Sequence, residues 1–369
     1  MPRTPRKLLI DPTEVGVFHC ISRCVRRAYL CGSDRLSGKN FDHRKQWIQD
    51  RLEFLAGQFG IDVLGFAVMS NHLHIILRCR PDVVCDWSDD EVARRWWNLF
   101  PLRRDDKEQP AEPDEWELSM ITGNPDRLAE VRGRLSSISW FMRCVAEPIA
   151  RWANREDACT GRFWEGRFKC QPILDESALA ACLAYVDLNP IRAGIADTPE
   201  TSLYTSVYER IAALREETGA AVAAAEASFA DIDRSCGSGA AANSNDVSGA
   251  SGADWLSPFE LSADQGQEPV PSRRASNTGC LPMRFTEYLA LLDWTGRQVR
   301  QDKRGSTPAE LPPILERLQV TTEGWLKLVQ GFSRMFRRAA GRPASLRRHA
   351  DKWGRRRMPG IANSRSVFG

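Results

Sequence analysis

Ile61-Asp62-Val63-Leu64-Gly65-Phe66-Ala67-Val68, then Met69-Ser70-Asn71, then His72-Leu73-His74-Ile75-Ile76-Leu77-Arg78-Cys79 is a pair of strand-length runs rich in β-branched residues, joined by a short polar turn. The pattern predicts an antiparallel hairpin. Side chains on a strand alternate with period two, so His72 and His74 share one face while Leu73, Ile75 and Leu77 take the other. Two imidazoles converging on one spot suit a divalent metal, because neutral imidazole is a common ligand. They equally suit packing, with one ring bonded to a backbone carbonyl and the other half exposed. The pair alone does not separate the two.

Working outward from the hairpin, residues 15–25 read as a first strand ending at the basic turn Arg26-Arg27. Residues 42–59 read as a helix whose stripe is Trp47, Ile48, Leu52, Leu55 and Ala56. Downstream come a helix over 89–100, a charged, Pro-containing insertion over about 101–124, and one long helical stretch over about 126–154 kinked at Pro148. A strand over 166–174 and a helix over 177–189, ended by Pro190, complete an α/β (α+β) pattern. From about 217 to 278 Ala, Ser, Gly, Asp and Glu dominate. Residues 231–276 therefore read as a flexible linker, although 220–229 can extend a helix. Periodicity and tryptophans return over 281–353 with Tyr288, Trp294 and Trp325. The division expected is an α/β domain at 1–215, a low-complexity linker at 216–276, and a basic, mainly helical C-terminal region at 277–369.

The 369 residues carry a formal charge of only +3, but residues 331–369 hold ten arginines and Lys352 against the single acid Asp351. Such a run fits a polyanion, and it also fits a solvated tail. The eleven cysteines contain no Cys-x-x-Cys pair, and the basic N-terminus lacks a long apolar stretch. Reduced thiols in a cytoplasmic protein are expected, and no run approaches the ~20 apolar residues of a membrane span.

In the helix before Pro190, Tyr185 and Asn189 stand one turn apart on the same side. A phenol beside an amide oxygen can act as nucleophile and third metal ligand if two imidazoles are near. Taken alone, a core-edge tyrosine and a helix cap explain them as well.

His72-Leu73-His74 together with Ala184-Tyr185-Val186-Asp187-Leu188-Asn189-Pro190-Ile191-Arg192-Ala193-Gly194 resembles the HUH single-tyrosine transposases, in the branch of REP-associated tyrosine transposases. Ile21-Ser22-Arg23, Met69-Ser70-Asn71 and the run Gly161-Arg162-Phe163-Trp164-Glu165-Gly166-Arg167-Phe168 fit the same pattern in the same order, so the resemblance spans residues 15–196. It implies a ferredoxin-like sandwich whose antiparallel sheet carries the histidines and whose helix carries the tyrosine. It also implies Mg²⁺ or Mn²⁺ held by His72, His74 and Asn189, where relatives often use glutamine. Tyr185 would be the nucleophile that makes a 5′-phosphotyrosine with single-stranded or hairpin DNA in a nucleoid-associated monomer or homodimer. Arg23, Arg26, Arg27, Arg162, Arg167 and Lys169, with Arg355, Arg356 and Arg357, are the expected DNA contacts. Phe163 and Trp164 either stack on a base or fill a core. Two other readings stand beside this one: a DNA-binding regulator that keeps the fold without cutting, and a metal-dependent phosphodiesterase with no covalent intermediate.

Overall fold

In the computed structural model the described residues are 9–25, 30–32, 38–106, 110–219, 252–261, 273–299 and 311–368. Strand β1 (Gly16–Arg23) leads to helix α1 (His43–Gln58), and the hairpin follows as β2 (Ile61–Val68) and β3 (His72–Cys79). A helical array intervenes: α2 (Pro81–Asp86), α3 (Asp89–Leu99), α4 (Glu115–Thr122), α5 (Pro125–Leu135) and α6 (Ile138–Glu156). Then come β4 (Lys169–Ile173), α7 (Glu176–Asp187) and α8 (Asn189–Arg192). The strands lie in the order β2-β3-β1-β4, and every neighbouring pair is antiparallel. A βαββαβ chain in that order is a ferredoxin-like sheet, as the sequence leads one to expect.

The strand period sorts the residues into two cores. Phe18, Cys20, Leu73, Ile75 and Leu77 face α1 and α6. Ala67, Ile76 and Ile173 face α7. A register shift between Val63 and Gly65 keeps both faces of β2 in phase. Gly65 lies where α7 comes closest: a Cβ there would stand 2.7 Å from Leu183 Cδ2 and 3.0 Å from Ser206 Oγ. Ser206 cannot give way, because it bonds Asp187 at 2.8 Å and accepts from the Phe66 amide at 3.1 Å. Gly65→Ala is expected to cost about 1–3 kcal/mol by overpacking, read as a lower urea midpoint with unchanged m. A neutral substitution would mean that α7 rides further from the sheet.

Two local expectations need correction. The single long helix over 126–154 is two helices broken at Ser136-Ser137, where the Ser136 hydroxyl donates to the Gly133 carbonyl at 3.4 Å; α6 then runs through Pro148. Pro190 does not stop the chain's helical course. It sits in the first turn of α8, where its missing N–H is no loss, and α8 continues from α7 through the Leu188 N–H to Ala184 bond. Within the insertion α4 forms behind an Asp114/Glu117 capping box.

The larger correction concerns the C-terminal third. The residues 206–219 are helical (α9), followed by α10 (Phe285–Val299), α11 (Leu311–Arg317), α12 (Thr322–Met335), α13 (Pro343–Lys352) and α14 (Ile361–Phe368). These do not stand apart as an appended domain. Trp325, Leu328, Phe332 and Leu346 share one continuous core with Leu179, Leu183 and Val186 of α7. Every residue of α7 from Ser177 to Asp187 is buried, with the sheet on one side and the C-terminal helices on the other.

The described parts of the expected linker are likewise structural. Trp255 is fully buried, 5.2 Å from the Phe66 ring, and Leu256 pairs with Val63 along the open edge of β2. At the opposite edge Ala340 pairs with Ile173 of β4. Both sheet edges are thus covered by the C-terminal part of the chain, which removes the unpaired backbone an edge strand presents. The stretches 220–251 and 262–272 of the expected linker, including the possible helical extension at 220–229, lie outside the described residues. No described helix is long and apolar enough to cross a membrane, and none of the described cysteines forms a disulfide.

Candidate active site

The α7-facing side of the sheet carries His19 and Ile21 of β1, His72 and His74 of β3, and Lys169 and Gln171 of β4. In the register Ile21 opposes His74, Arg23 opposes His72 and His19 opposes Gln171. A third histidine therefore enters the site, one that the sequence reading did not select. His19 Nε2 lies 2.8 Å from His74 Nδ1, and both rings are almost wholly buried. At the strand's start, His72 Nδ1 donates to Asn71 Oδ1 at 2.6 Å. Both members of the pair thus have Nδ1 engaged, which fixes their rings and leaves Nε2 of each turned away from those partners.

Tyr185 reaches the same place from α7. Its ring meets His74 edge-on with centroids 5.7 Å apart, and His19 edge-on at 6.1 Å. Phe332 of α12 stacks on it at 5.7 Å, and the Arg192 guanidinium lies 5.3 Å from its centroid. Arg192 stands seven residues after Tyr185, two helical turns on, so the chain's continuation through Pro190 is what brings this cation to the phenol. Asn189 opens α8 one turn beyond Tyr185; its Nδ2 is buried without a partner, as is His74 Nε2.

Burial sets the charge state. It lowers His19 to about 4 and His74 well below the ordinary 6.5. Burial also lowers His72 to about 4, helped by the positive charges of Arg23 and Lys169. All three rings are neutral at pH 7, the form that can donate a lone pair. Since the ring is neutral when folded but titrates near 6.5 in the unfolded chain, the stability it contributes is present above 6.5 and lost as pH falls toward 4. His19→Gln should therefore flatten the fall of the urea midpoint between pH 6.5 and 4. Equal slopes for the variant and the natural protein would contradict a buried neutral His19.

Among the described residues no group of three or more His, Cys, Asp or Glu is arranged to hold a metal. The His72 and His74 rings lie 4.8 Å apart by centroid, while the unpartnered atom of Asn189 is its Nδ2, an N–H donor. Imidazole nitrogens suit Mn²⁺ better than Mg²⁺, which takes oxygen ligands and keeps its waters.

The basic residues divide between two ends of the sheet. Arg23, Arg162, Arg167 and Lys169 are exposed at the His72 end, where the segment 163–165 pairs with the end of β1. Arg356 and Arg357 are also exposed, with Arg355 half-buried. However, Lys352, three residues before Arg355, is bound to Asp11 and Glu14 beside the start of β1. The arginine triplet thus belongs to the far end, a strand length of about 23 Å from His72. Arg26 and Arg27 lie outside the described residues. Phe163 is a core residue, and Trp164 gives its indole N–H to the Ala146 carbonyl at 2.8 Å, so packing accounts for both.

No protein-family model matches the sequence, and no curated protein matches it. Among solved structures the chain is similar to a REP-associated tyrosine transposase bound to a REP hairpin, with 12% identity and a TM-score of 0.34 over 57% of this chain and 86% of that one. So distant a likeness carries no assignment. The functional reading rests on the residues.

Proposed function

We propose that this chain is a DNA nicking and joining enzyme of the single-tyrosine transposase type, acting on single-stranded or hairpin DNA. The observation that carries the proposal is the seating of Tyr185 edge-on against His74, in a site whose two in-phase imidazoles are neutral and have Nε2 free. A divalent ion held by His72, His74 and Asn189 would withdraw charge from a phosphate oxygen and orient the phosphorus. His19 holds the His74 ring through Nδ1 so that Nε2 keeps its direction. The Arg192 guanidinium, 5.3 Å from the Tyr185 ring centroid, would offset negative charge on the transferring phosphoryl group. The Tyr185 oxygen forms a bond to phosphorus as the bond from phosphorus to the 3′-oxygen breaks. The phenolic proton ends on that 3′-oxygen. The product is a 5′-phosphotyrosine and a free 3′-hydroxyl, and the ester keeps the bond energy needed to join another 3′ end. Arg23, Arg162, Arg167 and Lys169, exposed at the His72 end, would hold the backbone of the strand entering there.

One observation favours a second reading. Tyr185 is only 8% exposed and is capped by Phe332, which suits a protein that binds DNA without cutting it. Labelled hairpin-bearing single strands of random sequence, incubated with Mn²⁺ and then denatured, distinguish the readings. The tyrosine enzyme gives a protein-linked label, a phosphodiesterase gives cleavage without it, and a binder gives neither.

A further inference from the structure

On the opposite side of the sheet from Tyr185, α1, α6 and the segment after α3 enclose a groove of about 1250 Å³. Its walls are helical stripes: Trp47, Arg51 and Phe54 on α1, and Arg151, Trp152 and Arg155 on α6. Phe100 and Arg104 close the third side. The rings are presented rather than hidden. Trp152 is 40% and Phe100 39% exposed, and Trp152 stands edge-on to Trp47 at 5.8 Å. Cations outnumber acids in the lining, with Arg51, Arg104, Arg151 and Arg155 against Asp50 and Glu147. Of the two acids in the groove, Glu147 is bound by Arg143 at 2.8 Å and Asp50 accepts from the Gln46 amide at 2.7 Å. Arg151 and Arg155 are exposed and make no ion pair among the described residues. Arg51 sits against Phe54 at 4.9 Å, anchored by the Cys144 carbonyl at 2.9 Å, and feels Arg151 and Arg104 as like charges.

We infer that this groove is a second nucleic-acid site that takes an unpaired stretch of DNA, with bases stacked on Trp47, Phe100 and Trp152 and phosphates on Arg104, Arg151 and Arg155. Aromatic faces interleaved with cations are what an unpaired strand needs, since every base has a stacking face and every linkage a charge. A volume above the range of about 300–1,000 Å³ for small-molecule pockets fits a polymer. Duplex DNA, with its bases already stacked, has nothing to offer the rings. The inference does not rest on the tyrosine chemistry, because the two sites lie on opposite faces of the sheet and use different residues.

The test uses the full chain and a fluorescein-labelled oligothymidylate of about 20 nucleotides, read by anisotropy against a blunt duplex of the same length and against polyglutamate as competitor. Trp152→Ala should weaken single-strand binding about tenfold while leaving duplex binding unchanged. Arg151→Glu with Arg155→Glu should weaken it further and reduce the salt slope by about 0.7 per lost phosphate contact, with Arg155→Lys restoring most of the loss. Because these side chains are exposed, melting temperatures should stay at the natural value. A 5-bromouracil strand should crosslink to peptides from α1 or α6. Single-strand affinity within twofold of the natural protein in both variants, with no such crosslink, overturns the inference. So does displacement by polyglutamate with Trp152→Ala without effect, which assigns the groove to an acidic protein segment.

Discussion

Tyr185→Phe should yield no covalent protein–DNA product and should lower strand cleavage on the order of 10⁴-fold or more, the scale of losing an enzyme's nucleophile. Its fold should be untouched. The ring keeps its contacts with Phe332, His74 and His19, and none of these involves the hydroxyl. Mn²⁺ affinity, measured by calorimetry, should likewise stay within a few-fold, since the phenol is not among the proposed ligands. His72→Ala gives the complementary pattern: metal affinity falls and the protein still folds. If Tyr185→Phe cleaves at the natural rate, water or another residue does the chemistry, and the phosphodiesterase reading takes over.

The largest expected loss of stability comes from Arg78→Ala. Arg78 lies on the hairpin's second strand, almost wholly buried, and bonds the fully buried Asp62 of the first strand at 2.8 Å. Its remaining N–H groups go to the Gly279 and Thr278 carbonyls at 2.8 and 2.5 Å and to Ser257 Oγ at 3.1 Å. One side chain therefore ties the C-terminal segments to the edge of the sheet. Removing it leaves the Asp62 carboxylate with the Ser276 hydroxyl at 2.9 Å and Arg80 at 3.7 Å, and strips two carbonyls of a donor. Breaking one partner of a buried pair costs about 3–5 kcal/mol, which urea unfolding would report directly. The double variant Asp62→Asn with Arg78→Met should recover only part of this, because the Gly279 carbonyl loses its Arg78 donor and the Thr278 carbonyl keeps only the Ser257 hydroxyl, at 2.6 Å. A loss under about 1 kcal/mol would mean that the C-terminal segments are held without this clip.

These two predictions mark where the sequence was informative. The hairpin was legible to its end residues because both strands combine β-branched composition with a polar turn. The in-phase histidines followed from period two alone. His19 was not legible: its meeting with His74 depends on the pairing of β1 with β3, a register that no local pattern states. Arg192 could have been found, since seven residues from Tyr185 is two helical turns, had Pro190 been read as a first-turn residue rather than a stop.

The C-terminal third was misjudged for a different reason. Composition averaged over 217–278 hid Trp255 within Ala253-Asp254-Trp255-Leu256, although one indole can anchor a segment that is otherwise poor in apolar residues. Ala178-Leu179-Ala180-Ala181-Cys182-Leu183-Ala184 held the complementary signal. A helix apolar on every side must be covered on every side, and the sheet covers only one. The second cover is α12 and its neighbours, which is why the region expected to be tethered shares the core behind Tyr185.

The most direct measurement of the central claim is to map the covalent bond. The natural protein, reacted with Mn²⁺ and hairpin-bearing single strands, is digested with nuclease and protease and sequenced by tandem mass spectrometry. The account predicts a nucleotide 5′-phosphate on Tyr185 and on no other residue. A phosphate on Tyr204 or Tyr208, or cleaved DNA with no modified peptide at all, would contradict it.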